Sequence, residues 1–344
     1  MRRREFLRSA AMAPLLAPLL APLAGASLLG TPLQSARAAV AITAGPAASS
    51  ATKSPGAAPR LVVLDWGLVE TLLAIGVTPV GVSEIDAYND SVVSPLVPAH
   101  VPDVGLRLAP SLELLQQLAP DLILINSSQE SQREMLERIA PVRAFAVYTD
   151  AGAPLRHSQQ VTLQLADLCG RPAAGHALID ATDRALAASR AQIAAHRARR
   201  QPPVAPRPLY LIRFFDGRHI GVYGARSLFQ DVMDALDVTN AWHGPTDYWG
   251  IGVAGLEKLA ASPSADLFYF DPLPTGVART LASNRLWHAL PAVAEGRVRT
   301  LPPFWGFGML PSAVRFADAL SAALTQAPSQ KTASNTAANL PTSQ

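Results

Sequence analysis

The segment from Gln159 to Arg199 is a long, helix-favouring stretch in the middle of the chain. It is rich in Ala, Leu, Arg and Gln and is interrupted at Gly170-Arg171-Pro172. The part from His176 to Arg199 would form a helix about 36 Å long at about 1.5 Å per residue. Because such a helix would hold two flanking segments at a fixed separation, it restricts the chain to two lobes on a rigid connector.

Strands and helices alternate on both sides of this helical segment. On the N-terminal side, short apolar runs at 60–64, 78–82, 121–125 and 143–147 are typical of buried strands, with helical spacing between them. A shared pattern links the two sides: Leu112-Glu113-Leu114-Leu115 then Asp121-Leu122, and Leu256-Glu257-Lys258-Leu259 then Asp266-Leu267. The sequence therefore predicts an α/β fold of two equivalent lobes with mainly parallel sheets, joined by one long helix. We expect the ligand cleft between the lobes, at the carboxyl ends of the strands.

The first 38 residues read as an export signal. An arginine-rich start, Arg3-Arg4-Glu5-Phe6-Leu7-Arg8, resembles a twin-arginine signal; an apolar stretch and the small residues of Ala36-Arg37-Ala38 follow. Retention of this segment as a membrane anchor is the alternative to cleavage. We expect a signal peptide at 1–38, a tether at 39–59, lobes at 60–157 and 201–325, a helical connector at 158–200 and a disordered tail at 326–344. The predicted location is the periplasm.

Charge and cysteine content exclude several classes of protein. The formal charge of the whole chain is +3, but residues 1–38 contain five arginines and one glutamate, so the remainder carries −1. Basicity therefore belongs to the leader, and no nucleic-acid partner is expected. Cys169 is the only cysteine, which rules out an intramolecular disulfide framework and a Cys-rich metal site.

No motif in the sequence points to an enzyme. The seven histidines lack the spacing of a zinc site, and no nucleophile elbow or P-loop occurs. The string Gly250-Ile-Gly252-Val-Ala-Gly255 matches a dinucleotide fingerprint, but a loop rather than a buried strand precedes it. We therefore predict a binding protein with no resident metal or cofactor, and an exported enzyme is the less favoured alternative.

Several segments together resemble one family of exported binders. They include Leu64-Asp65-Trp66-Gly67, Asp103-Val104-Gly105-Leu106-Arg107, Asp216-Gly217-Arg218-His219, Ser227-Leu228-Phe229-Gln230, Asn240-Ala241-Trp242, Tyr248-Trp249-Gly250 and Pro302-Pro303-Phe304-Trp305. In order and spacing they are similar to the ferric hydroxamate siderophore-binding proteins of bacterial iron ABC importers. That family comprises periplasmic binding proteins with a single helix between the lobes.

The resemblance implies a ferric siderophore, of hydroxamate type, as the ligand. The siderophore itself would hold the iron, so the protein would supply a cation for the hydroxamate oxygens and apolar walls for the carbon linkers. Arg107 matches the family's oxygen-contacting arginine, although spacing alone would favour a surface ion pair with a nearby acid. The other expected contacts are Trp66, Trp249, Trp305, Phe307, Gln129, Phe214 and Tyr88, of which Tyr88 could instead be a surface residue.

Five departures from the family pattern affect the choice of siderophore. Gln129 stands where the family has a tyrosine, Ser91 where it has a tryptophan, and Gly306 where it has an aromatic residue beside Trp305. Phe214 replaces an aliphatic residue, and Arg213 is an additional cation, either solvent-exposed or facing the ligand. A ligand with a carboxylate or a more polar backbone therefore fits the sequence.

Glu113 and Glu257 occupy the same place in the two lobes. In the family, an acid on each lobe docks onto arginines of the two permease subunits, whereas a glutamate on a helix is otherwise a solvated residue. The resemblance thus implies a monomer that delivers its ligand to an inner-membrane ABC permease dimer. Binders of haem or cobalamin share this architecture and remain the alternatives.

Overall fold

A computed structural model describes residues 58–199 and 205–326. The predicted leader and nearly all of the predicted tether and tail lie outside these ranges. No helix within them is long and apolar enough to cross a membrane.

The first lobe carries a four-stranded parallel sheet with the order β2-β1-β5-β6 and a separate small hairpin, β3–β4. Asp65 begins helix α1 by accepting a hydrogen bond from the Leu68 amide, and Ser111 begins α3 in the same way. The elements are β1 Leu61–Val63, α1 Trp66–Ala74, β2 Gly81–Val82, α2 Ile85–Val92, β3 Gly105–Leu106, β4 Ala109–Pro110, α3 Leu112–Leu118, β5 Leu122–Asn126, a 3₁₀ helix Ser127–Gln132, α4 Arg133–Leu136 and β6 Val142–Phe145.

The connector consists of α5 Pro154–Leu168 and α6 Pro172–Arg199. The break between them falls at the predicted Gly170-Arg171-Pro172, where Gly170 has a positive φ and Pro172 begins the second helix. Helix α6 begins four residues before the predicted start, so its 28 residues span about 42 Å. The predicted rigid helix is therefore present.

The second lobe carries a five-stranded mixed sheet with the order β11-β10-β7-β8-β9. Its elements are β7 Leu209–Phe214, β8 His219–Tyr223, α7 Leu228–Ala235, β9 Ile251–Gly255, a 3₁₀ helix Leu256–Ala261, β10 Asp266–Phe270, α8 Val277–Ser283, α9 Arg285–Ala289, α10 Pro291–Ala294, β11 Val298–Leu301 and α11 Leu310–Thr325. Strands β11, β10 and β7 are parallel as expected. Strand β8 pairs antiparallel with β7, to which a short turn joins it, and β9 pairs antiparallel with β8.

The two lobes share a three-stranded parallel unit. In lobe one β5 lies between β1 and β6, and in lobe two β10 lies between β7 and β11. The Asp121 amide donates to the Arg60 carbonyl, and the Asp266 amide donates to the Pro208 carbonyl, each at 2.9 Å. The repeated pattern in the sequence therefore marks equivalent places, although a 3₁₀ helix in lobe two replaces α3.

One apolar core extends through both lobes. It joins Leu68 and Leu72 of α1 to Phe229 of α7 and Phe316 of α11, all fully buried. Separate cores cover the outer face of each sheet. Because this core packs α1 of lobe one against α11 of lobe two, the two lobes are held together by more than the connector.

Candidate ligand-binding cleft

Arg107 lies at the turn of the hairpin formed by β3 and β4. The Asp103 carboxylate fixes this hairpin by accepting hydrogen bonds from the amides of Gly105 and Ile85, each at 2.8 Å. The amide nitrogen of Gln129 donates to the Arg107 carbonyl at 3.0 Å. The backbone of Arg107 is therefore anchored to both α2 and the 3₁₀ helix that follows β5.

The guanidinium of Arg107 lies over two tryptophan rings. Its central carbon is 4.0 Å from the centre of the Trp66 ring and 4.8 Å from that of Trp305, which is cation–π geometry. Glu84, at the start of α2, forms an ion pair with it. The indole nitrogen of Trp66 donates to the Ser83 carbonyl at 3.0 Å, so the underlying ring is fixed.

Aromatic side chains continue from this cation across to the second lobe. Ring centres are 4.5 Å apart for Trp66 and Trp305, 5.1 Å for Trp305 and Phe307, and 4.8 Å for Phe307 and Trp249. The structure thus brings together five of the predicted contacts, Arg107 included. The four rings make one continuous line of contacts, which we call the aromatic row: Trp66, Trp305, Phe307 and Trp249. Trp66 is buried, and the other three rings are partly exposed.

A cavity of about 20 Å³ lies beneath the aromatic row and is lined by both lobes. Lobe one contributes Asp65 and Asn126, and lobe two contributes Tyr248. The Tyr248 hydroxyl donates to the Tyr148 carbonyl and lies 3.3 Å from the Ser127 hydroxyl, so the lobes touch here. A volume of this size holds about one water molecule, whereas a drug-sized ligand needs several hundred Å³.

Asp65 lies at the floor of this cavity. One carboxylate oxygen caps α1 and the other accepts from the Asn126 side chain at 2.6 Å. Burial raises the pKa of the Asp65 carboxyl, and the hydrogen bond from Asn126 opposes that rise. Both oxygens are occupied, so Asp65 orients the start of α1 and the neighbouring Trp66.

The loop that carries Tyr248 and Trp249 is fixed at both ends. One Asp247 carboxylate oxygen accepts from the amides of Trp249 and Ile251 at 2.9 Å. Gly250 has φ +79°, and a side chain there would come within 2.2 Å of the Ser227 backbone. Only glycine fits this position, which explains the Trp-Gly pair seen in the sequence.

Comparison with known proteins decides the family. The family model described as "Periplasmic binding protein" matches residues 61–304. The chain belongs to this family. It is 34% identical over 265 residues to the iron(3+)-hydroxamate-binding protein FhuD of Escherichia coli K12, covering 77% of this chain and 86% of that one.

Solved structures agree with this membership. The Fe³⁺–Desferal-bound siderophore-binding protein FhuD of Vibrio cholerae matches with a TM-score of 0.73 and 29% identity, over 78% of this chain and 98% of that one. The periplasmic catecholate-siderophore-binding protein VctP of the same organism matches with a TM-score of 0.59 and 21% identity, over 78% and 93%. At 21% identity, the similarity to VctP shows only that the two proteins share a fold. The expected fold and family are confirmed.

Three predicted contacts of this periplasmic binding protein lie away from the cleft surface. Tyr88 is fully buried, with its ring edge against Trp66 and its hydroxyl donating to Pro95 at 2.8 Å. Phe214 packs on the opposite face of β7, 5.5 Å from the Tyr269 ring centre. Gln129 is buried, and its amide is occupied by backbone groups, including the Leu64 carbonyl. Tyr88 and Gln129 thus support Trp66 and Arg107 from below.

Sequence reasoning missed Glu84, Tyr148 and Tyr248. Glu84 is 23 residues from Arg107, and nothing in the local sequence pairs them. The Tyr148 hydroxyl donates to the Gly308 carbonyl at 2.9 Å, a contact across 160 residues. Tyr248 directly precedes Trp249 in the Tyr248-Trp249-Gly250 segment, and this position in a loop beside a predicted contact was the signal that could have identified it.

Glu113 and Glu257 are both exposed. Glu113 lies in the first turn of α3, and Glu257 lies in the first turn of the 3₁₀ helix that precedes β10. Each therefore precedes the middle strand of the parallel unit in its own lobe. The structure thus gives the two exposed carboxylates equivalent places in the two lobes.

Proposed function

We propose that this protein is the periplasmic substrate-binding component of an ABC importer and that its ligand is a ferric hydroxamate siderophore. One observation carries the proposal: the guanidinium carbon of Arg107 lies 4.0 Å from the ring centre of Trp66 in lobe one and 4.8 Å from that of Trp305 in lobe two. Two relatives support the ligand class, since one is named an iron(3+)-hydroxamate-binding protein and the other is bound to Fe³⁺–Desferal.

The chemistry of the ligand matches this surface. Three hydroxamates satisfy all six positions of ferric iron and balance its charge, so the complex is neutral. The guanidinium offers donors in a plane to hydroxamate oxygens, while Glu84 keeps the pair neutral overall. The aromatic row offers rigid area to the carbon linkers. Because the cavity below is so small, we propose that the siderophore binds on the exposed side of Arg107 and that the Tyr248 loop shifts to admit it.

Delivery and export complete the proposal. Glu113 and Glu257, at equivalent places, would contact arginines of the two permease subunits. Arg3 and Arg4 would direct export by the twin-arginine route, with cleavage after Ala38, although these residues lie outside the described ranges. Replacing both arginines with lysine should abolish export, and periplasmic protein that keeps an intact leader would contradict cleavage.

A fluorescence titration tests the ligand. Trp249 and Trp305 line the proposed site, so binding of a coloured ferric siderophore should quench their emission. The panel contains a ferric trihydroxamate, ferric dicitrate, haem and cobalamin, and the recovered ligand is analysed for chemical change. We expect the ferric trihydroxamate to bind most tightly and to be recovered unaltered. Tighter binding of haem or cobalamin, or conversion of the ligand, would contradict the proposal.

A further inference from the structure

The exposed end of the lobe-two sheet forms a second surface beside the aromatic row. Arg213 of β7, Gly221 of β8 and Val253 of β9 are register partners and so form one row across three strands. Side chains alternate along a strand, so this row shares its face with Leu211 and Tyr223. Both of those residues belong to the core that lobe one shares. This face of the lobe-two sheet is therefore the one directed toward lobe one.

Arg213 is connected to the aromatic row through one tyrosine. Burial raises the pKa of the Tyr223 hydroxyl, and the positive charge of the nearby Arg213 guanidinium opposes that rise. A side chain on Gly306, the residue between Trp305 and Phe307, would come within 2.8 Å of that same hydroxyl. Arg213 therefore lies one side chain away from the segment that carries two members of the aromatic row.

Gly221 makes room for this arrangement. A side chain there would meet the tip of Phe215 at 2.8 Å and Cγ of Arg213 at 3.1 Å, so both side chains lie across the bare backbone of β8. Phe215 and Val253 remain 45% and 71% exposed, so both offer accessible apolar area beside Arg213. A cation is thus bordered by two accessible apolar surfaces.

Arg213 also differs from Arg107 in its charge balance. Glu84 neutralises Arg107, whereas Arg213 has no carboxylate within ion-pair distance among residues 58–199 and 205–326. Asp216, the nearest acid in sequence, is bonded to His219 and to the backbone of the β7–β8 turn. The neutral pair of Arg107 and Glu84 suits a neutral ferric trihydroxamate core. Such a core carries no negative charge that could balance the charge of Arg213.

We infer that Arg213, with Phe215 and Val253, forms a subsite for an anionic arm of the siderophore, namely a carboxylate on an aliphatic chain. The guanidinium would bind the carboxylate through charge-assisted hydrogen bonds, because it is exposed and has no carboxylate partner among the described residues. Phe215 and Val253 would cover the methylene groups that precede it. This inference rests on the proposed function and specifies which hydroxamates this protein selects.

A matched pair of ligands tests the subsite. Ferric desferrioxamine B, a linear trihydroxamate with a terminal amine, is prepared in N-acetylated form, which is neutral, and in N-succinylated form, which ends in a carboxylate. The measured quantity is the ratio of the two dissociation constants. We expect wild-type protein to favour the succinylated complex roughly five- to tenfold, since Arg213 is partly solvated. The preference should fall as salt concentration rises.

Two variants make the test specific. Arg213→Gln should reduce the ratio to about one, and Gly221→Leu, which displaces both side chains, should do the same. Arg218→Gln, an exposed arginine of the same hairpin, is the matched control and should keep the wild-type ratio. Equal binding of the two complexes by wild type, or an unchanged ratio in Arg213→Gln, would overturn the subsite while leaving the proposed function intact. Failure of both complexes to bind would overturn the proposed function and the subsite with it.

Discussion

The guanidinium of Arg107 lies 4.0 Å from the ring centre of Trp66, and Glu84 pairs with it from the start of α2. The contact joins three local features: a capped helix beginning at Trp66, a hairpin turn, and a polar residue before α2. Each is set by short-range sequence, and the fold brings them together. The cation is consequently oriented before any ligand arrives, which lowers the entropy cost of binding.

Glu70 should make stability depend on pH. It is fully buried, accepts from the Met309 amide and from the Ser312 hydroxyl at 2.7 Å, and burial raises its pKa from 4.5 to about 7. A carboxyl with a raised pKa favours folding when protonated, so its contribution is complete below about pH 4.5 and is lost as pH rises through 7.

Glu70→Gln removes this dependence. Relative to wild type, the variant should gain up to about 3 kcal/mol of unfolding free energy between pH 4.5 and pH 8. Urea unfolding at several pH values measures the difference, with the exposed Glu134→Gln as control. A difference between wild type and Glu70→Gln that does not change with pH would refute the explanation.

Gly250 should be irreplaceable because of both its backbone and its surroundings. Gly250→Ala should destabilise the fold by about 2–4 kcal/mol, since it strains φ and overlaps the Ser227 backbone. Gly276→Ala is the matched control: its φ is +83°, but nothing lies within 4 Å, so only about 1 kcal/mol is expected. Thermal unfolding compares the two, and equal losses would show that the close approach to Ser227 is unimportant.

Tyr248 should control access to the cleft. Tyr248→Phe removes the hydroxyl that bonds the Tyr148 carbonyl and faces Ser127, so the proposed movement of its loop becomes easier. We expect association with a ferric trihydroxamate about three- to fivefold faster, the equivalent of one partly exposed hydrogen bond. Stopped-flow quenching measures the rate. Tyr210→Phe, on the outer face of lobe two, is the control, and an unchanged rate in Tyr248→Phe would exclude gating by this contact.

The lobes themselves should move little. The shared core and the packing of α11 on α6 oppose a large hinge opening, so only the loop is expected to shift. Small-angle scattering with and without ligand should give nearly the same radius of gyration. A large change would mean that the core between the lobes opens.

Glu113 and Glu257 should affect uptake and not ligand binding. Both are exposed and occupy equivalent places, so the Glu113→Ala/Glu257→Ala double variant should bind the siderophore normally and fail to support iron uptake. Each single variant should have a smaller effect. Growth on the siderophore as the iron source measures uptake, and normal growth of the double variant would rule out docking through these residues.

The sequence allowed most of the fold to be predicted, but only part of the site. The break at Gly170-Arg171-Pro172 and the buried strands depend on local chemistry, so they were accessible. The antiparallel pairing of β8 with β7 and β9 could not be predicted, because parallel and antiparallel pairing both satisfy the same apolar pattern. Side chains alternate between the two faces of β7, and the charged Arg213 indicates which face is exposed at this end of the strand. This alternation would have assigned Phe214 to the buried face and Phe215 to the same face as Arg213. The pairing of Arg107 with Glu84 required the tertiary structure.

The central claim is that Arg107 binds the iron-chelating oxygens of a ferric hydroxamate. Calorimetric titration with a ferric trihydroxamate compares wild type, Arg107→Ala, Arg107→Lys, Trp249→Ala and Trp305→Ala, with Glu84→Gln as a control that keeps the guanidinium. Arg107→Ala should weaken binding about ten- to a hundredfold, as expected for a charge-assisted hydrogen bond of roughly 1.5–3 kcal/mol, and Trp305→Ala should weaken it less. Arg107→Lys should restore affinity only in part, because an ammonium group cannot span two oxygens in a plane. Wild-type affinity in Arg107→Ala, together with lost binding in Trp249→Ala or Trp305→Ala, would contradict the claim and show that stacking alone recognises the ligand.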